Sequence, residues 1–179
     1  MISLLYAHPY SLHAREDQWL LNAVQHWPGL ELRDLYQLYP DFYIDVATEQ
    51  KMLSHSNAII LHYPLQWGLP PALLVQYLHK VFVKGWAFGQ NSKGEVSSAV
   101  QGLGFWLVAQ MVGQGKDPDC CDPHSLFKPM QQLAEACGMH WHSPLILPPL
   151  ADTTTAAEAA ERYRSGLQQL ALVSHTERS

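Results

Sequence analysis

The sequence predicts an α/β protein, a three-layer sandwich built on a five-stranded parallel sheet in the strand order 2-1-3-4-5. Short apolar segments alternate with segments of helical periodicity along all 179 residues, and no repeat or linker divides the chain. Three apolar segments lack polar alternation, which is typical of parallel strands covered by helices on both faces. We therefore expect a single domain over residues 1–179, with a polar tail at about 174–179. In such sheets ligands bind at the carboxyl ends of the strands, beside the first strand.

The apolar segments place the strands. We expect them at 2–6, 30–35, 58–61, 105–109 and 145–147. The second segment alternates leucines with charged residues, as an edge strand does. The third is expected to end at Leu61, because His62, Tyr63 and Pro64 interrupt its apolar run.

Helical spacing of apolar residues places the helices between these strands. We expect them at 16–27, 45–54, 71–83, 126–137 and 155–173. Asp45 stands at an N-cap position, and Pro71 suits a first helical turn because its nitrogen needs no hydrogen-bond partner there. Gly138 suits the position just after a helix. The resulting order is βαβαβαβαβα.

Composition and charge narrow the class of protein. The formal net charge of -5 argues against a nucleic-acid partner, which calls for a basic face. The N-terminus has neither a basic region nor a small-residue cleavage site, so we expect no signal peptide. The chain has 3 cysteines, an odd number that does not suit a disulfide framework. We therefore expect a protein of the reducing cytoplasm.

Three loops follow strands at the expected ligand edge: "AHPYSLHARED", "HYPLQWGLPP" and "VAQMVGQGKDP". In the first, His8 follows the strand directly, and Ser11, His13 and Arg15 lead into a helix N-terminus, which suits a phosphate. The equally weighted alternative is that His8 caps the strand and Arg15 is a solvated helix residue. In the second, Trp67 stacks on a flat ring with Gln66 at its polar edge, or it fills the core. In the third, Gly113 permits close backbone approach, or it belongs to an ordinary turn.

Other motifs carry less information. The chain contains neither a G-x-G-x-x-G fingerprint nor a phosphate-binding P-loop. The stretch "DCCDPH" at 119–124 has adjacent cysteines rather than the C-x₂-C spacing of a zinc site. The stretch "HWH" at 140–142 alternates two imidazoles along an expected strand, which suits two surface histidines better than a copper or zinc site. We expect no metal.

Four segments resemble the NAD(P)H:quinone oxidoreductase family, which includes DT-diaphorase, the modulators of drug activity and the ancillary subunits of glutathione-regulated potassium-efflux systems. They are "YAHPY", "DLYQLYPDFYIDVATEQ", "HYPLQWGLPPALL" and "HKVFVKGWAFG", which together span residues 6–89. This resemblance implies a flavodoxin-like fold with FMN, or alternatively FAD, at the ligand edge. It also implies two-electron transfer from NAD(P)H to a quinone by a homodimer, in the service of a potassium-efflux transporter.

The resemblance also implies roles for individual residues. His8 matches the family's flavin-contacting histidine. Leu65, Gln66, Trp67 and Gly68 fill the loop that packs on the flavin ring. No residue matches a catalytic position clearly enough to be assigned.

Two loops depart from the family pattern. Ala14 and Asp17 stand where the family carries serine and asparagine around the flavin phosphate, and a carboxylate repels a phosphate unless Arg15 or the helix dipole compensates. Met111 and Val112 add bulk where the family carries glycines. An alternative function therefore remains open: a flavin-poor, non-catalytic family member that serves as a regulatory binding subunit of a cation-efflux transporter.

Overall fold

The computed structural model describes residues 1–10, 15–66, 68–90, 98–111, 123–150 and 153–176. Its strands are β1 (Ile2–Tyr6), β2 (Leu30–Asp34), β3 (Ala58–Leu65), β4 (Gly104–Met111), β5 (His140–Trp141) and β6 (Leu145–Leu147). Its helices are α1 (Arg15–Val24), α2 (Leu35–Leu38), α3 (Val46–Ser54), α4 (Ala72–Val81), α5 (Pro123–Ala136) and α6 (Thr153–Thr176).

The sheet confirms the predicted topology. The strands lie in the order β2-β1-β3-β4-β5, and each pairing in the described sheet is parallel. The alternating strand β2 is at one edge, as its pattern predicts. The strands β1, β3 and β4 therefore end side by side, and the loops that follow them meet at one edge of the sheet.

The fifth position of the sheet holds two short strands where the sequence predicted one. Strand β5 pairs with the beginning of β4, and β6 pairs with 108–110 near its end. Between them, Pro144 has no N–H to donate and restricts the residue before it. The carbonyl of Ser143 instead accepts a hydrogen bond from Nε1 of Trp106 at 3.0 Å.

Strand β3 is longer than predicted. It does not stop at Leu61 but continues through His62, Tyr63 and Pro64 to Leu65, still paired with β4. His62 and Tyr63 are buried, at 0% and 1% exposure, because helices cover the sheet at this level. The missing N–H of Pro64 is tolerated because the pairing of β1 with β3 ends at His62, which leaves that side of β3 free of a ladder partner.

Each of the five predicted helices is present in its expected place, with small differences in length, and the described structure adds one short helix, α2. Asp45 caps α3, since its carboxylate accepts from the backbone N–H of Thr48 at 3.1 Å. Helix α4 begins directly after Pro71, and Gly138 follows α5 with φ of 68°. The single turn α2 was not predicted; it forms because Asp34 accepts from the N–H groups of the two residues that follow Leu35.

The two faces of the sheet carry separate cores, which completes the three layers. One core packs α2, α3, α4 and α5 against the sheet, and the other packs α1 and α6 against the opposite face. No helix of the described residues is long and apolar enough to cross a membrane.

Candidate functional site

The carboxyl edge of the sheet brings several predicted residues together. The backbone N–H of Ala7 donates to the carbonyl of His62 at 2.9 Å, so the chain leaves β1 close beside β3. His8 follows there, and Arg15 begins α1 at the same edge. Leu65 is the last residue of β3 and lies opposite Met111 of β4.

A tight turn follows β3. Gln66 and Leu69 form a β-bridge, and the N–H of Leu69 donates to the carbonyl of Gln66 at 3.0 Å. Gly68 has φ of 73°, a conformation that favours glycine. A Cβ at this position would lie 2.8 Å from Cδ2 of Leu126, so the start of α5 packs directly on the turn.

Several predicted positions fall outside the described residues. They are Trp67 and Gly113 of the candidate site, Ala14, Val112, Cys120 and Cys121, together with the side chains of Arg15 and His124. The expected alternation of the HWH motif along one strand is wrong, because β5 ends at Trp141 and His142 lies beyond it. Within the described ranges, no three His, Cys, Asp or Glu side chains come together as a metal site would require.

The His8 imidazole is held from three sides. Its Nδ1 accepts the backbone N–H of Tyr10 at 2.9 Å. Its ring stacks on that of Tyr6, with centroids 6.2 Å apart and planes 23° apart. Its Nε2 lies 3.8 Å from Oδ2 of Asp17, an ion-pair distance rather than a hydrogen bond. His8 thus has a defined orientation at the exit of β1.

Asp17 points away from the place that the sequence assigned to it. Its side chain is turned toward the sheet and buried, with 3% exposure, and Oδ2 accepts the hydroxyl of Tyr6 at 2.7 Å. Burial, reinforced by the charge of Asp17, raises the pKa of Tyr6 well above its usual value. The carboxylate therefore does not face solvent at the start of α1. This geometry does not support the expected repulsion between Asp17 and a phosphate there.

His62 completes this buried polar cluster, and sequence reasoning missed it by treating His62 as the start of a loop. Its ring meets Tyr6 and Tyr163 edge-on, at centroid distances of 5.3 and 5.4 Å. Its Nδ1 lies 3.5 Å from the hydroxyl of Tyr163, and within the described structure its buried Nε2 has no hydrogen-bond partner. Burial lowers the pKa of His62 to about 4, although the charge of Asp17 opposes this, so the ring is neutral at pH 7.

A second buried carboxylate shapes the neighbouring loop. Glu49 of α3 is fully buried and pairs with Arg33 of β2. It also accepts the hydroxyls of Tyr39 and Tyr77, the latter at 2.7 Å. Glu49 thereby ties β2, α3 and α4 to the segment after α2, which runs along the same edge of the sheet.

Three exposed apolar side chains lie around this edge. Tyr10 follows β1, Tyr43 lies in the connection that follows β2 and α2, and Leu69 lies in the turn after β3. Their exposed fractions are 73%, 81% and 68%. Large exposed apolar side chains are candidates for an interaction surface.

Comparisons with known proteins agree with this architecture. A family model described as the flavodoxin-like fold matches residues 2–171. The glutathione-regulated potassium-efflux system ancillary protein KefF of Enterobacter sp. (strain 638) is 36% identical over 176 residues, which cover 93% of this chain and 95% of the relative.

Solved structures show the same fold. A chain in the crystal structure of a thermophilic tryptophan halogenase from Streptomycin violaceusniger aligns with a TM-score of 0.81 and 27% identity, covering 92% of this chain and 97% of that one. General stress protein 14 of Treponema denticola, in complex with FMN, aligns with a TM-score of 0.80 and 25% identity over 96% of this chain and 98% of that one. An NADPH-quinone reductase from P. pentosaceus aligns with a TM-score of 0.78 over 92% of this chain and 95% of that one, at 19% identity.

Proposed function

Because the chain belongs to the family of proteins with the flavodoxin-like fold, and to the KefF relatives within it, we propose that it is an FMN-dependent NAD(P)H:quinone oxidoreductase. We propose that it acts as an ancillary subunit of a potassium-efflux system, because the name of the KefF relative describes that role for the relative. Its oxidoreductase class is supported by neighbours such as the NADPH-quinone reductase and the FMN-bound stress protein. FAD is the alternative flavin, and NAD(P)H is the co-substrate.

The observation that carries this proposal is the meeting of β1, β3 and β4 with the start of α1 at one edge. A helix N-terminus offers free N–H groups and a positive dipole end, which suit a phosphate. The carboxylate of Asp17, in the first turn of α1, is turned into the sheet and held by Tyr6, so it does not occupy that end. We therefore propose the first turn of α1 as the place of the FMN phosphate.

Bound FMN would supply two-electron redox chemistry between a nicotinamide and a quinone. The residues of this chain would bind the flavin and orient it. His8 would contact the bound flavin at the exit of β1, and Gln66 and Gly68 would contact its ring. From the sequence, Leu65 and Trp67 pack on the ring, Arg15 pairs with the phosphate, and the amide of Gly113 approaches the polar edge.

We also infer the partners from this edge. The exposed Tyr10, Tyr43 and Leu69 suit burial against a second copy of the chain, as the resemblance implies for a homodimer. The cytoplasmic domain of a potassium-efflux transporter is the proposed second partner, and the protein acts in the cytoplasm, peripheral to the inner face of the membrane. No nucleic-acid partner is proposed.

The test is an FMN titration followed by steady-state turnover. The purified protein should show a flavin spectrum once loaded with FMN and should oxidise NADH or NADPH in the presence of a quinone. His8→Ala should weaken FMN binding, whereas His26→Ala, a change at an exposed residue between α1 and β2, should leave it unchanged. A protein that binds no FMN and oxidises no nicotinamide would contradict the enzymatic proposal.

One observation favours the alternative of a regulatory subunit without flavin chemistry. Leu126 fills the space beside Gly68, and Met111 ends β4 opposite Leu65, so apolar side chains crowd the turn. In that case the protein should bind the transporter's cytoplasmic domain equally well with and without added FMN. A pull-down with that domain, at several FMN concentrations, separates the two functions.

A further inference from the structure

The contacts of Asp17 define a second layer behind His8. Asp17 Oδ2 accepts the Tyr6 hydroxyl at 2.7 Å, and the same oxygen lies 3.8 Å from His8 Nε2. The opposite ring nitrogen, Nδ1, accepts the backbone N–H of Tyr10. Because Nδ1 is an acceptor, the neutral His8 ring carries its proton on Nε2, the nitrogen that faces the carboxylate.

Apart from His8, the ionisable neighbours described around Asp17 are uncharged at neutral pH. Burial keeps Tyr6 and Tyr163 un-ionised, since it raises the pKa of both hydroxyls well above the usual value. Burial also keeps His62 neutral at pH 7. Of the side chains that the structure describes, His8 is the basic one that lies within ion-pair distance of Asp17, at 3.8 Å.

We infer that Asp17 is a positioning residue, which holds the orientation of the His8 ring through the Tyr6–Asp17–His8 contacts. This deepens the proposed function and rests on it in one respect, namely that His8 contacts bound FMN. A ring that is already ordered loses less side-chain freedom when the ligand binds. Ordering of one side chain corresponds to about a twofold to tenfold change in affinity.

The closing experiment is a double-mutant cycle on FMN affinity. Asp17→Asn keeps the shape of the side chain and removes its charge, and it should weaken FMN binding by about twofold to tenfold. In a His8→Gln background, the same Asp17→Asn change should have no further effect. Tyr6→Phe, which removes the hydroxyl that holds the carboxylate, should act in the same direction, and Glu161→Gln, at an exposed carboxylate of α6, should change nothing.

In this cycle of affinities, two results would overturn the inference. Tighter FMN binding by Asp17→Asn in both backgrounds would mean that Asp17 repels the phosphate directly. An equal loss in both backgrounds would mean that Asp17 stabilises the fold without acting through His8. If Asp17→Asn fails to fold, the double-mutant cycle is measured with Tyr6→Phe in its place.

A readout without flavin separates this inference from the proposed function. The ring nitrogens of His8 can be followed by ¹⁵N NMR in the protein without added FMN, with His8→Gln used to assign their signals. Asp17→Asn should move the Nε2 signal, while Glu161→Gln should not. An unmoved Nε2 signal overturns the inference, even where FMN binds. If no variant and no wild type binds FMN, but the signal moves, the proposed function fails and the positioning of His8 stands.

Discussion

At the scale of single residues, His62 shows how burial changes the chemistry of a side chain. The ring is enclosed by Tyr6 and Tyr163, with Asp17 and His8 as the charged or ionisable neighbours that act on it. The pKa of His62 is about 4 in the folded protein, whereas an unperturbed histidine has a pKa of 6.5. Between these two values, the unfolded chain therefore binds a proton that the folded chain does not.

This difference predicts a pH dependence of stability. Protonation favours the unfolded chain, so the free energy of unfolding should fall as the pH drops from 7 to 5, by about 2 kcal/mol from His62 alone. His62→Gln should remove this part of the fall, whereas the exposed His26→Gln should retain it. Urea unfolding of the three proteins at pH 7 and pH 5 measures the effect. An identical fall in wild type and His62→Gln would show that another group is responsible.

At the scale of the elements, Glu49 connects parts of the chain that the sequence presents separately. Its buried carboxylate joins Arg33 of β2 and the hydroxyls of Tyr39 and Tyr77. Burial and the neighbouring Glu49 raise the pKa of Tyr39 to about 12, so this hydroxyl remains a donor at neutral pH. The segment between α2 and α3 is thereby held against α4.

Loss of this carboxylate should be costly. Glu49→Gln leaves Arg33, whose side chain is 15% exposed, without its buried partner, and should lower the free energy of unfolding by about 3–5 kcal/mol. Glu31→Gln is the matched control, since Glu31 pairs with the same guanidinium at 3.5 Å but is 40% exposed. It should cost under about 1 kcal/mol. Denaturant unfolding of both variants compares them, and similar losses would contradict a special role for Glu49.

At the scale of the whole molecule, the exposed apolar residues at the carboxyl edge predict self-association. Light scattering at micromolar concentration should give the mass of a dimer. The double variant Tyr43→Glu, Leu69→Glu places charges on that surface and should shift the mass toward the monomer. Leu172→Glu changes an equally exposed leucine near the far end of α6, and it should remain dimeric. A monomeric wild type would contradict the predicted dimer. A dimer that is disrupted by Leu172→Glu, but not by the double variant, would place the interface elsewhere.

The sequence by itself determined the order and type of the elements and hence the topology. Alternation of apolar strands with amphipathic helices is a local signal, and so are the caps at Asp45 and Gly138, which is why these predictions are confirmed. The alternating pattern of β2 placed it at an edge for the same reason. The meeting of the loops at one edge followed from the topology, so the location of the candidate site was also within reach of the sequence.

Only the tertiary structure decided how polar residues are used within that frame. His62 reads as the end of a strand, yet it is buried inside β3 because Tyr6 and Tyr163 arrive from distant parts of the chain. Asp17 reads as a residue beside a phosphate, yet its carboxylate turns inward to the hydroxyl of Tyr6. A local pattern states which residues are polar, but the direction of a side chain depends on partners that packing brings from elsewhere in the sequence.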